Sequence, residues 1–169
     1  MGDYSVADWF QMYEKDVTSF LIYYTGSKEV EDLVQDTFLV AINKLSSFKG
    51  KSHPKTWLIS IARNIVIDRY RRRKVWERIK HVLSSEEAYS NDLEANIISK
   101  LNNSQLNKAI HKLTLPYKEV VILRGILDLS SMEASTILKC SQNKVNVRYH
   151  RALKKLRKLL EEDGFFYDR

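Results

Sequence analysis

The sequence predicts an all-α protein, two small helical domains joined by an acidic linker. Three observations lead there. Apolar residues recur at three- and four-residue steps rather than in alternation. Helix breakers are scarce, with 5 glycines and 2 prolines in 169 residues. The periodicity lapses once, across residues 79–104, where the chain turns polar, acidic and rich in Ser and Asn. This gives a first domain over 1–78, a linker over 79–104 and a second domain over 105–169. A hydrophobic fraction of 44% is enough for a packed core.

In the first domain, Val6, Trp9, Phe10, Tyr13, Val17, Phe20, Leu21 and Tyr24 predict a helix over 5–24, ended near Gly26. A second helix is expected over 28–46. Its apolar face is Val30, Leu33, Val34, Phe38, Ala41, Ile42 and Leu45, and its other face begins with Glu29, Glu31, Asp32, Gln35 and Asp36. Those acidic groups complement a helix N-terminus, and they equally make a docking face for a basic partner. Residues 47–56 read as a loop, broken by Gly50 and Pro54 and carrying Lys49, Lys51 and Lys55 with Ser52 and His53. The stretch Lys55 to Lys74 follows. Trp57, Leu58, Ile61, Ala62 and Ile65 form its buried stripe, and Arg69, Arg71, Arg72, Arg73 and Lys74 crowd its end.

The second domain opens near Ser104, with Leu106, Ala109, Ile110 and Leu113 on one helix. Pro116 begins the next, which runs through Val120, Val121, Leu123 and Ile126 to Leu127 and Asp128. Ser130 and Glu133 have capping-box spacing and start a short helix to Leu138. Lys139, Cys140 and Ser141 form a turn, and Ser141 is a natural N-cap for a last helix that stops at Gly164. That helix is expected to bury Val145, Tyr149, Ala152, Leu156 and Leu159 or Leu160. A short helix, a three-residue turn and a longer basic helix make a helix-turn-helix.

The net charge is +7, and its distribution says more than its total. Residues 1–47 carry 3 basic and 8 acidic side chains, and 48–81 carry 11 and 2. Residues 82–107 carry 1 and 4, and 108–169 carry 13 and 7. Two basic blocks each follow an acidic one, which predicts two separate polyanion contacts. A basic run alone reads equally well as a solvated helix end whose cations complement the macrodipole. The helix-turn-helix moves the reading toward DNA, because the exposed start of its last helix offers groups that pair with guanine and adenine edges.

Other classes fit poorly. The single cysteine, Cys140, fits a reducing cytoplasm and reads as a small packed residue of the turn. No apolar run approaches the ~18 residues that span a bilayer. Asp3 and Asp8 stand where a signal peptide is basic. A cytoplasmic protein not embedded in a membrane is expected. His53, His81, His111 and His150 lack metal-ligand spacing, and no phosphate-binding glycine loop or nucleophile elbow occurs. The expectation is a binding protein with no catalytic residue, metal or cofactor. A stand-alone helix-turn-helix regulator is the alternative, but it needs an effector or dimerisation domain that the first half does not suggest.

Three stretches together resemble the sigma-70 family of RNA polymerase sigma factors, in its small extracytoplasmic-function type. EVEDLVQDTFLVAINKL resembles region 2.2, FKGKSHPKTWLISIARNIVIDRYRRRK regions 2.3 and 2.4, and the stretch from LPYKEVVILRG to YHRALKKL region 4. The resemblance covers about residues 5–160. It implies core RNA polymerase as a partner, through the β′ coiled coil and the β flap, together with promoter DNA and an anti-sigma factor. For polymerase docking it points to Glu31, Asp32, Leu33, Gln35, Asp36 and Phe38, with Thr37 nearby.

For the melted −10 element the resemblance implies Lys49, Lys51, Ser52, His53, Lys55, Trp57, Arg63, Asn64, Asp68 and Arg69, with Arg71, Arg72 and Arg73 on phosphates. The loop over 48–56 would form most of a flipped-base pocket. Trp57 reads either as support for the strand or as a core anchor. For the −35 element it implies Gln142, Asn143, Lys144, Asn146, Val147, Arg148, His150 and Arg151. Here the chain departs from the family. Lys139 stands where a glycine is common, and Asn143, Lys144, Asn146 and Val147 replace the usual small residue, Thr, Lys and Ser. The departures leave the expected fold unchanged and leave the −35 preference open. The acidic linker resembles the segment that threads the polymerase near the RNA exit path, and a generic solvated linker has the same composition.

Overall fold

The computed structural model describes residues 5–83 and 105–162. Seven α-helices occur among them, and no strand. Helix α1 spans Val6–Thr25 and is fixed at both ends. Ser5 and Asp8 form a capping box in which each one's side chain accepts the other's backbone N–H, at 3.2 and 2.9 Å. Gly26 closes the helix in the left-handed conformation, φ 78°, donating to the Ile22 carbonyl at 2.9 Å.

Helix α2 spans Glu31–Lys44, starting three residues later than expected. Residues 27–30 form a turn instead, because the Glu29 N–H donates to Ser27 Oγ and the Val30 N–H to the Lys28 carbonyl, both at 3.1 Å. A 3-10 turn over Leu45–Ser47 follows. Helix α3 spans Pro54–Leu83. Its start at Pro54 ends the loop three residues earlier than predicted. Proline at the first helical position forfeits only an N–H that has no helical partner, so the expected breaker opens the helix.

At 30 residues α3 is about 45 Å long, well beyond α1 and α2. Its first half packs on both of them, burying Leu58, Ile59, Ile61 and Ala62. From Asp68 to Lys80 every side chain is exposed, including Tyr70, Val75, Trp76 and Ile79. The helix continues past 79, where the linker was expected to begin. Residues 84–104, with the rest of that linker, and the expected stop at Gly164 lie outside the described residues.

The second half comprises α4 (Gln105–His111), α5 (Leu115–Val121), α6 (Ser131–Leu138) and α7 (Gln142–Glu162). Helix α5 continues as a π turn over Ile122–Ile126, where a regular α-helix was expected. The Leu127 N–H reaches the Ile122 carbonyl at 3.0 Å, an i→i+5 bond. The wide turn coincides with Gly125, where a Cβ would sit 3.4 Å from the Tyr149 hydroxyl. The Ser130–Glu133 capping box is present. Ser141 caps α7 by accepting the Lys144 N–H at 3.2 Å. Helix α7 buries Val145, Ala152, Leu156 and Leu160, with Tyr149 and Leu159 partly covered.

The buried residues of both halves form one contiguous core. Helix α3 packs on α6, and α1 on the π turn. Two residues assigned to buried stripes are outside it. Phe10 is 44% exposed and Ile42 56% exposed, because each helix turns those positions past the edge of the three-helix contact.

Candidate nucleic-acid and polymerase interfaces

The loop between the 3-10 turn and α3 presents Lys49, Lys51 and His53 to solvent, with Ser52 half-buried. Gly50 adopts φ 66°, the left-handed region, at the loop's open tip. The loop's flanks are aromatic. Phe48 and Trp57 have ring centroids 4.9 Å apart, and both meet Trp9 of α1, at 5.1 and 5.9 Å. Trp57 is therefore a half-buried anchor of the loop. Lys55 is half-buried and its Nζ lies 3.7 Å from Asp16 Oδ1.

Along α3, Asn64 and Asp68 are exposed, and Arg71 lies one turn from Asp68, 3.9 Å away. Arg69 bonds to Asp36 of α2, which joins a residue expected at DNA to one expected at polymerase. Arg71, Arg72 and Arg73 are exposed, and Arg73 Nε pairs with Glu77 at 2.9 Å. Such surface pairs contribute ~0–1 kcal/mol and yield readily to a phosphate.

On α2, Glu31, Asp32 and Gln35 are exposed and Leu33 and Asp36 half-buried. Phe38 corrects the expectation. It is 5% exposed and packs edge-on against Phe10 at 4.8 Å, so it holds α2 to α1. The exposed apolar groups of α2 are Leu39, 57% exposed and one turn on from Asp36, and Ile42 a turn further. Thr37 is also buried, its hydroxyl bonded to the Leu33 carbonyl at 2.7 Å.

On α7, Gln142, Asn143, Lys144, Asn146, Val147, His150 and Arg151 are exposed, and Arg148 is half-buried. The first two turns thus offer amide, ammonium and guanidinium groups around one apolar residue. Lys139 sits in the turn before them at φ 52°, ψ 47°, a conformation that suits glycine. Cys140 is half-buried against the core.

The family profile described as Sigma-70 region 2 matches residues 9–75, and that described as Sigma-70, region 4 matches residues 104–156. The ECF RNA polymerase sigma factor SigX of Bacillus subtilis is 31% identical over 167 residues, across 90% of this chain and 81% of its own. The chain is an extracytoplasmic-function sigma factor of the sigma-70 family. The RNA polymerase sigma factor YlaC of the same organism is 34% identical over 159 residues, 91% of each chain. The solved structure of the sigma factor RpoE from Bartonella quintana, in complex with the anti-sigma factor NepR, superposes with a TM-score of 0.73. Its sequence identity is 26%, with 92% of this chain and 96% of that one covered. The sigma factor directs transcription initiation by RNA polymerase. Among the described residues, no helix is long and apolar enough to cross a membrane.

In this sigma factor the two regions meet through pairings that the sequence did not reveal. Glu119 of α5 is buried and accepts at one oxygen from Arg63 Nε, 2.7 Å, and from the Tyr24 hydroxyl, 2.9 Å. Burial, with the Glu119 charge beside it, pushes the Tyr24 phenol well above its ordinary range, so it stays a donor. Lys118 donates to the Tyr24 carbonyl at 3.2 Å and lies over its ring. Arg63, expected at the melted strand, is thus turned onto region 4.

Thr56 makes a second link, donating to Glu133 at 3.3 Å. Burial works to raise the Glu133 carboxyl, but bonds from the Ser130 hydroxyl and N–H and from Thr56, with Lys55 nearby, hold it below the usual carboxylate range. A third contact is tight. A Cβ on Gly26 would sit 2.9 Å from His111 Cε1. Burial, reinforced by the Lys118 charge, pulls His111 from 6.5 down to about 4, against a bond to the Tyr23 backbone. One signal for Glu119 was available: it stands one turn before Leu123, which is fully buried.

Proposed function

We propose that this sigma factor docks on the β′ coiled coil of core RNA polymerase through the exposed face of α2, with Asp32, Gln35, Asp36 and Leu39 at its centre. The loop over 48–53 and the exposed side of α3 take the non-template strand of the −10 element. Lys49, Lys51, Ser52 and His53 line the base, and Arg71, Arg72 and Arg73 hold phosphates. The first turns of α7 enter the major groove of the −35 element. The protein works in the cytoplasm, catalyses no reaction itself, and is held in check by an anti-sigma factor, as the complex of RpoE with NepR suggests by analogy.

The observation that carries this reading is the separation of charge by surface. The acidic face of α2, the cations of the loop and α3, and the polar start of α7 are all exposed, on different elements of one folded body. Each DNA contact is weak alone, and holding both on one polymerase raises the effective concentration of the second. Run-off transcription with purified core polymerase over a genomic template library tests the reading. The expected result is initiation at a small set of promoters sharing −35 and −10 elements. Initiation no different from core polymerase alone overturns it.

A further inference from the structure

The loop over 48–53 has little of its own to hold its shape. Lys49, Gly50, Lys51 and His53 are exposed, and nothing approaches the Gly50 position within 4 Å. Its shape is set from α1. Trp9 meets the two rings that flank the loop, Phe48 at its start and Trp57 in the first turn of α3. One turn on, Tyr13 meets the His53 ring edge-on, with centroids 5.6 Å apart. One turn further, Asp16 pairs with Lys55. Trp9, Tyr13 and Asp16 are spaced i, i+4, i+7, so a single face of α1 touches the loop at its base, its last residue and the helix start beyond it.

The splint itself is stiff. Its capping box closes the turn before Trp9, and Val17, Phe20 and Leu21 anchor the following turns in the core. The loop transmits that stiffness inward, because His53 Nδ1 accepts the Lys55 N–H at 3.2 Å and the His53 carbonyl accepts the Trp57 N–H at 3.1 Å.

We propose that Trp9, Tyr13 and Asp16 are positioning residues for −10 recognition. They hold the loop in its base-reading shape before DNA arrives, so the base preference depends on a helix that touches no base. The proposal rests on the loop being the base reader. A loop already in its bound shape avoids the ordering cost that a free loop would meet on binding, and that saving goes only to promoters whose base fits the shape. Removing a pin lowers the fitted population and flattens the preference. A helix that merely stabilised the domain would, if weakened, lower transcription from every promoter alike.

The test uses the full-length sigma factor with core polymerase and a promoter library randomised in the −10 element, with the −35 element constant. Tyr13→Ala and Asp16→Asn remove partly exposed groups, which limits damage to folding. Tyr13→Ala is expected to reduce the ratio of best to mismatched −10 promoters roughly 2- to 10-fold, the range an aromatic pair accounts for, with core affinity unchanged. Tyr13→Phe keeps the ring and is expected to restore the wild-type ratio. Lys51→Ala and Ser52→Ala probe the loop directly. If they shift the preference while Tyr13→Ala and Asp16→Asn leave it intact, or scale all promoters together, the positioning role is overturned. If the loop variants also leave it intact, the base-reading assignment fails first and the positioning role falls with it.

Discussion

Arg63 of region 2 and Glu119 of region 4 are bonded at 2.7 Å across 56 positions of sequence, and Tyr24 donates to the same carboxylate oxygen. Both side chains are largely removed from water, at 18% and 7% exposure. Removing one partner strands the other, which costs far more than the net worth of the pair. Glu119→Ala is therefore expected to lower stability by roughly 3 kcal/mol, and Arg63→Ala by a similar amount. The double variant should cost clearly less than the two combined, because the orphaned charge is gone. Denaturant unfolding of all four proteins measures the coupling. Strict additivity would show that the pair does not tie the regions together. Loosened packing should also free Arg63, so small-angle scattering of Glu119→Ala is expected to give a larger radius of gyration than the parent protein.

The same interface carries an acid-sensitive group. His111 titrates at about 4 in the folded protein against 6.5 ordinarily. Between those values the unfolded chain binds more protons than the folded one, so stability is complete above about 6.5 and falls as pH drops toward 4. The slope cannot exceed about 1.4 kcal/mol per pH unit for one group, and solvent at the partly exposed ring reduces it. The groups facing it are Lys118 of α5 and the Tyr23 backbone of α1. Urea midpoints at pH 7, 6 and 5 are expected to decline for the parent and to stay nearly level for His111→Gln. Parallel declines in both would locate the acid sensitivity elsewhere. The interval stops at pH 5 because Glu133, with its lowered carboxyl, loses its own contribution as pH falls further.

The helices were legible because their signals are local. The Ser5 and Ser130 capping boxes, Gly26 and the apolar stripes each fix an element from a few neighbouring residues. The exposed face of α7 followed directly from the stripe that the helix buries. What stayed hidden depends on pairing between distant segments. Nothing near Arg63 in the sequence marks it as Glu119's partner rather than DNA's. The aromatic clamp on the loop joins residues from three elements, so Trp57 could not be assigned from its own surroundings. Phe38 and Leu39 show the limit of periodicity. Both are apolar neighbours on α2, and only the placement of α1 decides which is core and which is surface.

Lys139 gives a stability prediction. The turn of the helix-turn-helix requires a left-handed residue, and lysine holds φ 52° there against its Cβ–carbonyl crowding, worth ~1–2 kcal/mol. Glycine removes the crowding but adds freedom to the unfolded chain, worth ~0.5–1 kcal/mol. Lys139→Gly is thus expected to stabilise by about 0.5–1 kcal/mol, a rise in Tm of about 1–4 °C. Lys139→Ala, which keeps the Cβ, should gain nothing. A melting point for Lys139→Gly at or below that of Lys139→Ala would mean that the turn is not strained.

The docking face proposed for α2 separates surface from core within two adjacent residues. Leu39 projects into solvent beside Asp36, whereas Phe38 packs on Phe10. Exposed substitutions usually change stability by less than about 0.5 kcal/mol, so Leu39→Ser should melt like the parent protein. If α2 meets polymerase as proposed, the same change removes an apolar contact at the centre of an interface, typically worth ~1–2 kcal/mol. Affinity for core polymerase is then expected to fall roughly 5- to 30-fold. Asp32→Lys should weaken binding too, but its deficit against the parent should be largest at low salt and shrink as salt is added, since it removes a charge contact and adds a repulsive one that salt screens. Phe38→Ala behaves differently, costing roughly 3–5 kcal/mol of stability through the cavity it leaves. Fluorescence anisotropy against core polymerase at two salt concentrations, with thermal melts of each variant, resolves the three cases. Unchanged affinity in both Leu39→Ser and Asp32→Lys would place the polymerase contact on another face.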